Sequence, residues 1–152
     1  MNIERLKTVR EHIAEHPNEF DYNHYKEYQL DAFGEDCKTL ACVAGTAVRL
    51  FDPEYFDEAV CMAPIRSKSL DVLDLDESVA KWLFEPMNAQ GSIFEEAWDH
   101  EHESTAYYKA EYTLHMMEVN EALARLDWLI EHGTIDGYTS EIFVWPPKEY
   151  AQ

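Results

Sequence analysis

Apolar residues recur at helical spacing along most of this chain. After Asn2, a residue type that caps helix N-termini, apolar residues lie three to four positions apart. These are Ile3, Leu6, Val9 and Ile13. Pro17 ends the periodic segment, because the residue before a proline is pushed out of the α region. The pattern predicts a first helix that buries one face.

Residues 40–51 are apolar on nearly every helical face and rich in small side chains, which predicts a central buried helix. Thr39 is placed to cap this helix through its hydroxyl. Asp52 and Pro53 then predict the start of another short helical turn. Residues 59–70 carry no clear period and are interpreted as irregular, with a short strand or a core-facing loop near 60–63.

Asp76 predicts the N-cap of a helix that stops before Pro86. The longest predicted helix begins at the capping residue Ser104 and runs to His132, where Gly133 is a typical stop. Its apolar residues recur at spacings of three and four: Tyr108, Tyr112, Met116, Val119, Leu123, Leu126 and Ile130.

The sequence therefore predicts a mainly α protein, with a single compact helical domain over residues 1–152. We expect residues 40–51 to form its centre and the long helix to pack across them. A short strand or hairpin is expected at the edge. Residues 142–145 are interpreted as a strand or an extended tail, and residues 87–105 as an acidic loop or helical insertion.

Charge changes this picture most. The chain has 31 acidic and 12 basic residues, a formal net charge of −19, yet 46% of its residues are hydrophobic, too many for a disordered acidic tail. A negative field repels nucleic acid and anionic membranes and attracts basic surfaces. No apolar run is long enough to span a membrane, and the N-terminus has no signal-peptide pattern. We therefore expect a cytoplasmic protein with reduced cysteines, no membrane partner and no direct nucleic-acid partner.

Ten of the acidic residues fall between residues 71 and 103, where Lys81 is the only base. This stretch has three interpretations: a solvated surface, an adaptation to high salt, or a mimic of nucleic acid whose carboxylates replace phosphates. On the third interpretation, the carboxylates that pair with a partner's Lys and Arg are Asp71, Asp74, Asp76, Glu77, Glu95, Glu96, Asp99, Glu101 and Glu103.

Residues 37–45 carry the pattern Cys-x-Thr-x-x-Cys-x-Ala-Gly. This resembles a family of small, uncharacterised phage and bacterial proteins built around Cys-Gly-Thr-x-x-Cys-x-Ala-Gly. Family elements also match at residues 20–22, 83–86 and 126–133. Lys38 replaces the family's usual glycine, and Thr46 replaces a bulky aromatic residue or histidine. The resemblance implies a phage setting and no established reaction.

Two other constellations offer alternatives. Tyr22, Tyr25 and Tyr28 recur every third residue, which is typical of a short helical turn; with Tyr107 and Tyr108 they are candidates to line a ligand pocket. Arg49, Arg66 or Lys68 would have to line that pocket to bind a phosphorylated ligand.

Metal binding is the other alternative. Cys37 and Cys42, with Cys61 and His24, offer a zinc set, but their spacing favours a core cysteine and a loop cysteine. His100 and His102 lie two positions apart, which does not match the i, i+4 spacing of metalloproteases. We predict no metal and no cofactor.

The function that these features favour is that of a non-enzymatic, acidic phage-type protein. It would bind and inhibit a basic host protein, such as a defence or nucleic-acid-binding protein. A nucleotide-like ligand-binding or sponge protein is the first alternative, and a metal-dependent enzyme is the second. A homodimer is compatible with the sequence.

Overall fold

Helices dominate the computed structural model, which describes residues 1–21, 27–30, 36–59, 62–84 and 104–138. The helices of these ranges are α1 (Ile3–Glu15), α2 (Val43–Phe51), α3 (Pro53–Glu58), α4 (Met62–Leu73), α5 (Glu77–Phe84) and α6 (Ser104–His132). A 3₁₀ turn, Pro17–Glu19, and two short strands, β1 (Glu27–Leu30) and β2 (Asp36–Leu40), complete the described elements. The predicted mainly α class is confirmed.

The two strands form an antiparallel hairpin in which Glu27 lies opposite Leu40, with an irregularity between Gln29 and Leu30. Beyond the hairpin, the Ala41 N–H donates to the Glu19 carbonyl at 3.0 Å, and the Asp21 N–H donates to the Ala41 carbonyl at 3.3 Å. The end of β2 is therefore joined to the 3₁₀ turn. The candidate strands of the sequence lay elsewhere: at residues 60–63, where α4 begins at Met62, and at residues 142–145, which lie outside the described residues.

Strand pairing corrects three local predictions. The central helix begins at Val43 rather than at residue 40, because residues 36–40 pair with β1. Thr39 lies in β2 and does not cap α2; Cys42 occupies the N-cap position. Tyr28 lies in β1, so the helical turn predicted through it is wrong.

Residue types set most of the helix ends. The carboxamide oxygen of Asn2 and one carboxylate oxygen each of Asp52 and Asp76 accept backbone N–H groups at 2.9–3.2 Å, as N-caps do. At the end of α6, Gly133 has φ +69° and donates its N–H to the Leu129 carbonyl at 2.9 Å. These four predictions are confirmed.

Helix α4 occupies a segment that the sequence predicted to be irregular. Pro64 lies in its first turn, where a missing N–H costs nothing because helix N-termini leave those donors without intrahelical acceptors. Ser69 lies at the centre of the buried face, fully buried, and its hydroxyl donates to the Arg66 carbonyl at 2.6 Å. This polar residue interrupts the apolar period that would have indicated the helix.

Helix α2 lies at the centre, as predicted: residues 43–48 are all buried. It packs against α1, α3 and α4, whereas α6 packs chiefly against α1 and not across α2 as expected. The main core combines residues from α1, α2, α4, α5 and α6, among them Leu6, Val43, Leu73, Leu83 and Leu126. Within the described ranges, no helix is long and apolar enough to cross a membrane.

Candidate functional site

Four of the predicted contact carboxylates lie where α4 gives way to α5, and all four are exposed: Asp71, Asp74, Asp76 and Glu77. The other five, Glu95, Glu96, Asp99, Glu101 and Glu103, lie outside the described residues. The structure therefore places the first part of the predicted surface at one corner of the fold.

Three of these exposed carboxylates also stabilise the corner. Asp74 accepts the amino group of Met1 at 2.8 Å, and this hydrogen bond lowers the pKa of the Asp74 carboxyl. Asp76 caps α5, and its hydrogen bond from the Ser78 hydroxyl lowers its pKa. Glu77 pairs with Arg66 at 2.6 Å. The charge of Asp71 helps to raise the pKa of Lys68, but Asp71 caps no helix, so it is the described member that can meet a partner with the smallest loss of internal contact.

Most of the basic side chains that the structure describes are bound within the protein. Arg10 donates to both carboxylate oxygens of Asp127, at 2.9 and 3.1 Å, and joins α1 to α6. Lys68 pairs with Asp52 at 2.7 Å, and this contact raises the pKa of the ammonium. With the exception of Lys81, each described base binds an acceptor of the chain: Arg5, Lys7, Arg10, Arg49, Arg66, Lys68 and Arg125.

Five further exposed carboxylates form no ion pair with the bases named above. They lie on α1, on α3 and beyond α6: Glu11, Glu15, Glu54, Glu58 and Asp136. Because the bases named above pair within the protein, they do not neutralise these carboxylates, and a surplus of negative charge remains at the surface. That surplus is the strongest chemical property that the described surface offers to a partner.

A charged pair that the sequence analysis missed lies inside the helical core. Arg125 and Glu121 are one turn apart on α6, their side chains are 0% and 6% exposed, and the guanidinium donates to the Glu121 carboxylate. Arg125 also donates to the Trp82 carbonyl on α5, and its guanidinium carbon lies 5.4 Å from the Trp82 ring centroid. The pair therefore links α6 to α5.

Aromatic rings surround this pair. The Tyr138 ring meets Trp82 edge-on at 4.9 Å and Trp128 at 5.6 Å between centroids. Burial raises the pKa of the Tyr138 hydroxyl. Gly137, with φ +83°, brings the chain back over Trp128, where an added Cβ would lie 3.6 Å from the indole. This arrangement closes the end of α6 over the charged pair.

Another Arg–Glu pair lies near the surface, between α2 and the 3₁₀ turn. Arg49 donates to Glu19 at 2.9 Å, with side chains 21% and 28% exposed. The same guanidinium nitrogen lies 2.6 Å from His12 Nε2. The sequence analysis considered Arg49 only as a pocket residue and missed this cluster, because its members are 37 positions apart.

The alternative sites fall mostly outside the described side chains. Cys42 is a free, fully buried thiol, and burial raises its pKa to about 11, which favours its interpretation as a core residue. Within the part of the chain that the structure describes, no three His, Cys, Asp or Glu residues are arranged to hold a metal ion. The remaining metal and pocket candidates have no described side chain: Cys37, Cys61, His24, His100, His102, Tyr22, Tyr25, Tyr28, Tyr107 and Tyr108.

Comparison with protein-family models, with characterised proteins and with solved structures found no match to this chain.

Proposed function

We propose that this protein is a non-enzymatic binding protein for a basic protein surface. The observation that carries this proposal is the distribution of charge: except for Lys81, the bases whose side chains are described are held in internal contacts, while carboxylates remain exposed on several elements. Carboxylates paired with Lys and Arg form charge-assisted hydrogen bonds of the kind that phosphates also accept. A partner that normally binds nucleic acid fits this chemistry.

The proposed setting is a bacterial cell infected by a phage, with a host defence or nucleic-acid-binding protein as the target. Supporting this setting are the resemblance of residues 37–45 to the phage family pattern and the net charge of −19. Inhibition would follow from competition, because a target groove filled with carboxylates has no room for phosphates. Steering between opposite fields would speed the encounter, and salt would weaken it.

The proposal predicts that a specific set of carboxylates binds the partner, and not the net negative charge alone. We would compare two variants that each replace five carboxylates with amides. The first changes Asp71, Glu95, Glu96, Asp99 and Glu101, and leaves the structural acids Asp74, Asp76 and Glu77 in place. The matched control changes Glu11, Glu15, Glu54, Glu58 and Asp136. Both variants shift the net charge by the same amount.

The measurement is capture of host proteins by the immobilised protein at about 50 mM and about 300 mM salt, with added DNA as competitor, since multi-charge contacts weaken by orders of magnitude over that range. We expect a nucleic-acid-binding protein that DNA displaces, lost by the first variant and kept by the control. Equal loss by both variants would reduce the effect to net charge. Undiminished capture by the first variant would contradict the proposed surface.

A further inference from the structure

Four side chains from three elements meet beside the 3₁₀ turn. His12 lies in the last turn of α1 and His16 is the C-cap of that helix, with ring centroids 4.7 Å apart; Glu19 comes from the turn, and Arg49 from α2. Glu19 lies 3.6 Å from His12 Nε2 and 3.8 Å from His16 Nδ1. These are the charged and titratable groups that face His12 from the described elements packed around it.

The contact with Arg49 fixes the protonation state of His12. Arginine stays protonated in proteins and has only donors, so His12 Nε2, 2.6 Å from the guanidinium nitrogen, must accept. The ring is therefore neutral, with its proton on Nδ1. Burial lowers the pKa of His12, and the charges of Arg49 and His16 lower it further against the opposing effect of Glu19.

The turn that Arg49 holds is also the support of the hairpin. Arg49 binds the Glu19 carboxylate, while the Glu19 backbone carbonyl accepts the Ala41 N–H at 3.0 Å. Asp21 then donates its N–H to the Ala41 carbonyl at 3.3 Å. A loss of the contacts of Arg49 would therefore reach the end of β2 through Glu19.

We propose that His12 is a proton-operated latch that holds the 3₁₀ turn, and the strand end paired with it, against α2. A proton taken from solvent by His12 Nε2 removes one of the acceptors of Arg49 and sets two cations side by side. The new N–H also competes for Glu19, 3.6 Å away, which weakens the grip of Arg49 on the turn. Mild acid then raises the fraction of molecules in which residues 17–21, with the buried Phe20, and Ala41 are open, while the helices stay folded.

The direction and size of the pH effect follow from the linkage between proton binding by His12 and opening of the latch. Because the pKa of His12 in the closed state lies below its ordinary value of 6.5, the closed state binds fewer protons than the open one. The latch is fully closed above that value and weakens as the pH falls through 6.5 towards the lowered pKa. At about pH 5.5, one unit below, the opening constant rises by at most about tenfold.

Amide hydrogen exchange tests the latch at about pH 7.5 and about pH 5.5, with intrinsic exchange rates divided out. We expect the protection of the Ala41 and Asp21 amides to fall by up to about tenfold in acid, and that of the Ala80 amide in α5 to hold. His12→Gln keeps an acceptor for Arg49 but cannot titrate, so it should abolish the pH dependence. His16→Gln, the matched control at a side chain 47% exposed, should retain it.

Three results would overturn the latch: equal pH dependence in His12→Gln, constant protection in the unaltered protein, or a parallel fall at Ala80. If His12→Gln does not fold, a nuclear magnetic resonance titration of the unaltered protein decides the question. The Ala41 amide shift must then follow the same midpoint as the His12 ring. A midpoint that differs from that of His12 would also refute the proposal.

Discussion

Two of the Arg–Glu pairs among the described residues, Arg125–Glu121 and Arg49–Glu19, use the same chemistry in opposite surroundings. Arg125 and Glu121 are 0% and 6% exposed and sit on a single helix, whereas Arg49 and Glu19 are 21% and 28% exposed and join two elements. A buried charge must keep its partner, because the loss of hydration is repaid only by that contact. A half-exposed charge can exchange its partner for water, so its contacts can respond to conditions.

The largest difference should appear when each pair loses one charge. Arg125→Met leaves the Glu121 carboxylate buried and should destabilise the fold by about 3–5 kcal/mol, measured by urea denaturation. The double variant Arg125→Met/Glu121→Leu removes both charges and should recover a large part of that loss. A loss below about 1 kcal/mol for Arg125→Met would show that the buried pair behaves like an exposed one.

The corresponding change in the outer pair should cost less. Glu19→Gln keeps an oxygen acceptor for Arg49, and we expect a loss of about 1 kcal/mol or less in the same measurement. Because Glu19 opposes the lowering of the His12 pKa, its neutralisation should move that pKa further down, as a ring titration would show. An upward shift would contradict the geometry of the cluster.

Salt should give the smallest effect and the sharpest contrast. The Debye screening length falls from about 10 Å at 0.1 M to about 3 Å at 1 M ionic strength. Buried charges are screened much less than exposed ones. A double-mutant cycle measures the coupling energy of Arg49 and Glu19. This energy should fall by a few tenths of a kcal/mol over that salt range, to a value typical of exposed ion pairs. That of Arg125 and Glu121 should stay constant, and an equal fall in both would refute the distinction.

The two pairs also differ in their separation along the chain, and such separation explains what the sequence could predict. Capping is a contact over two or three positions, so Asn2, Asp52 and Asp76 could be assigned from residue type alone. The start of α2 could not be, because it depends on the pairing of residues 36–40 with a strand that is separate along the chain. Helix α4 was missed because buried Ser69 breaks the apolar period that would have indicated it.

The clusters follow this division as well. Glu121 and Arg125 have helical i, i+4 spacing among buried residues such as Ala122 and Leu126, and that placement is the signal that could have found them. The His12–Arg49 contact gives no local signal, because it depends on how α1 packs against α2. Acidic residues can be counted from the sequence, but a structural contact between distant residues, such as that of Asp74 with the Met1 amino group, gives no local signal.

The thiol of Cys42 allows the rate at which the centre of the fold opens to be measured. Only a thiolate attacks an alkylating reagent, and this thiol is both fully buried and held protonated by a pKa of about 11. Its modification must therefore wait until the start of α2 leaves the core. Mass spectrometry can follow the labelling of the peptide that contains Cys42. The labelling rate reports how often the start of α2 opens, without an engineered probe.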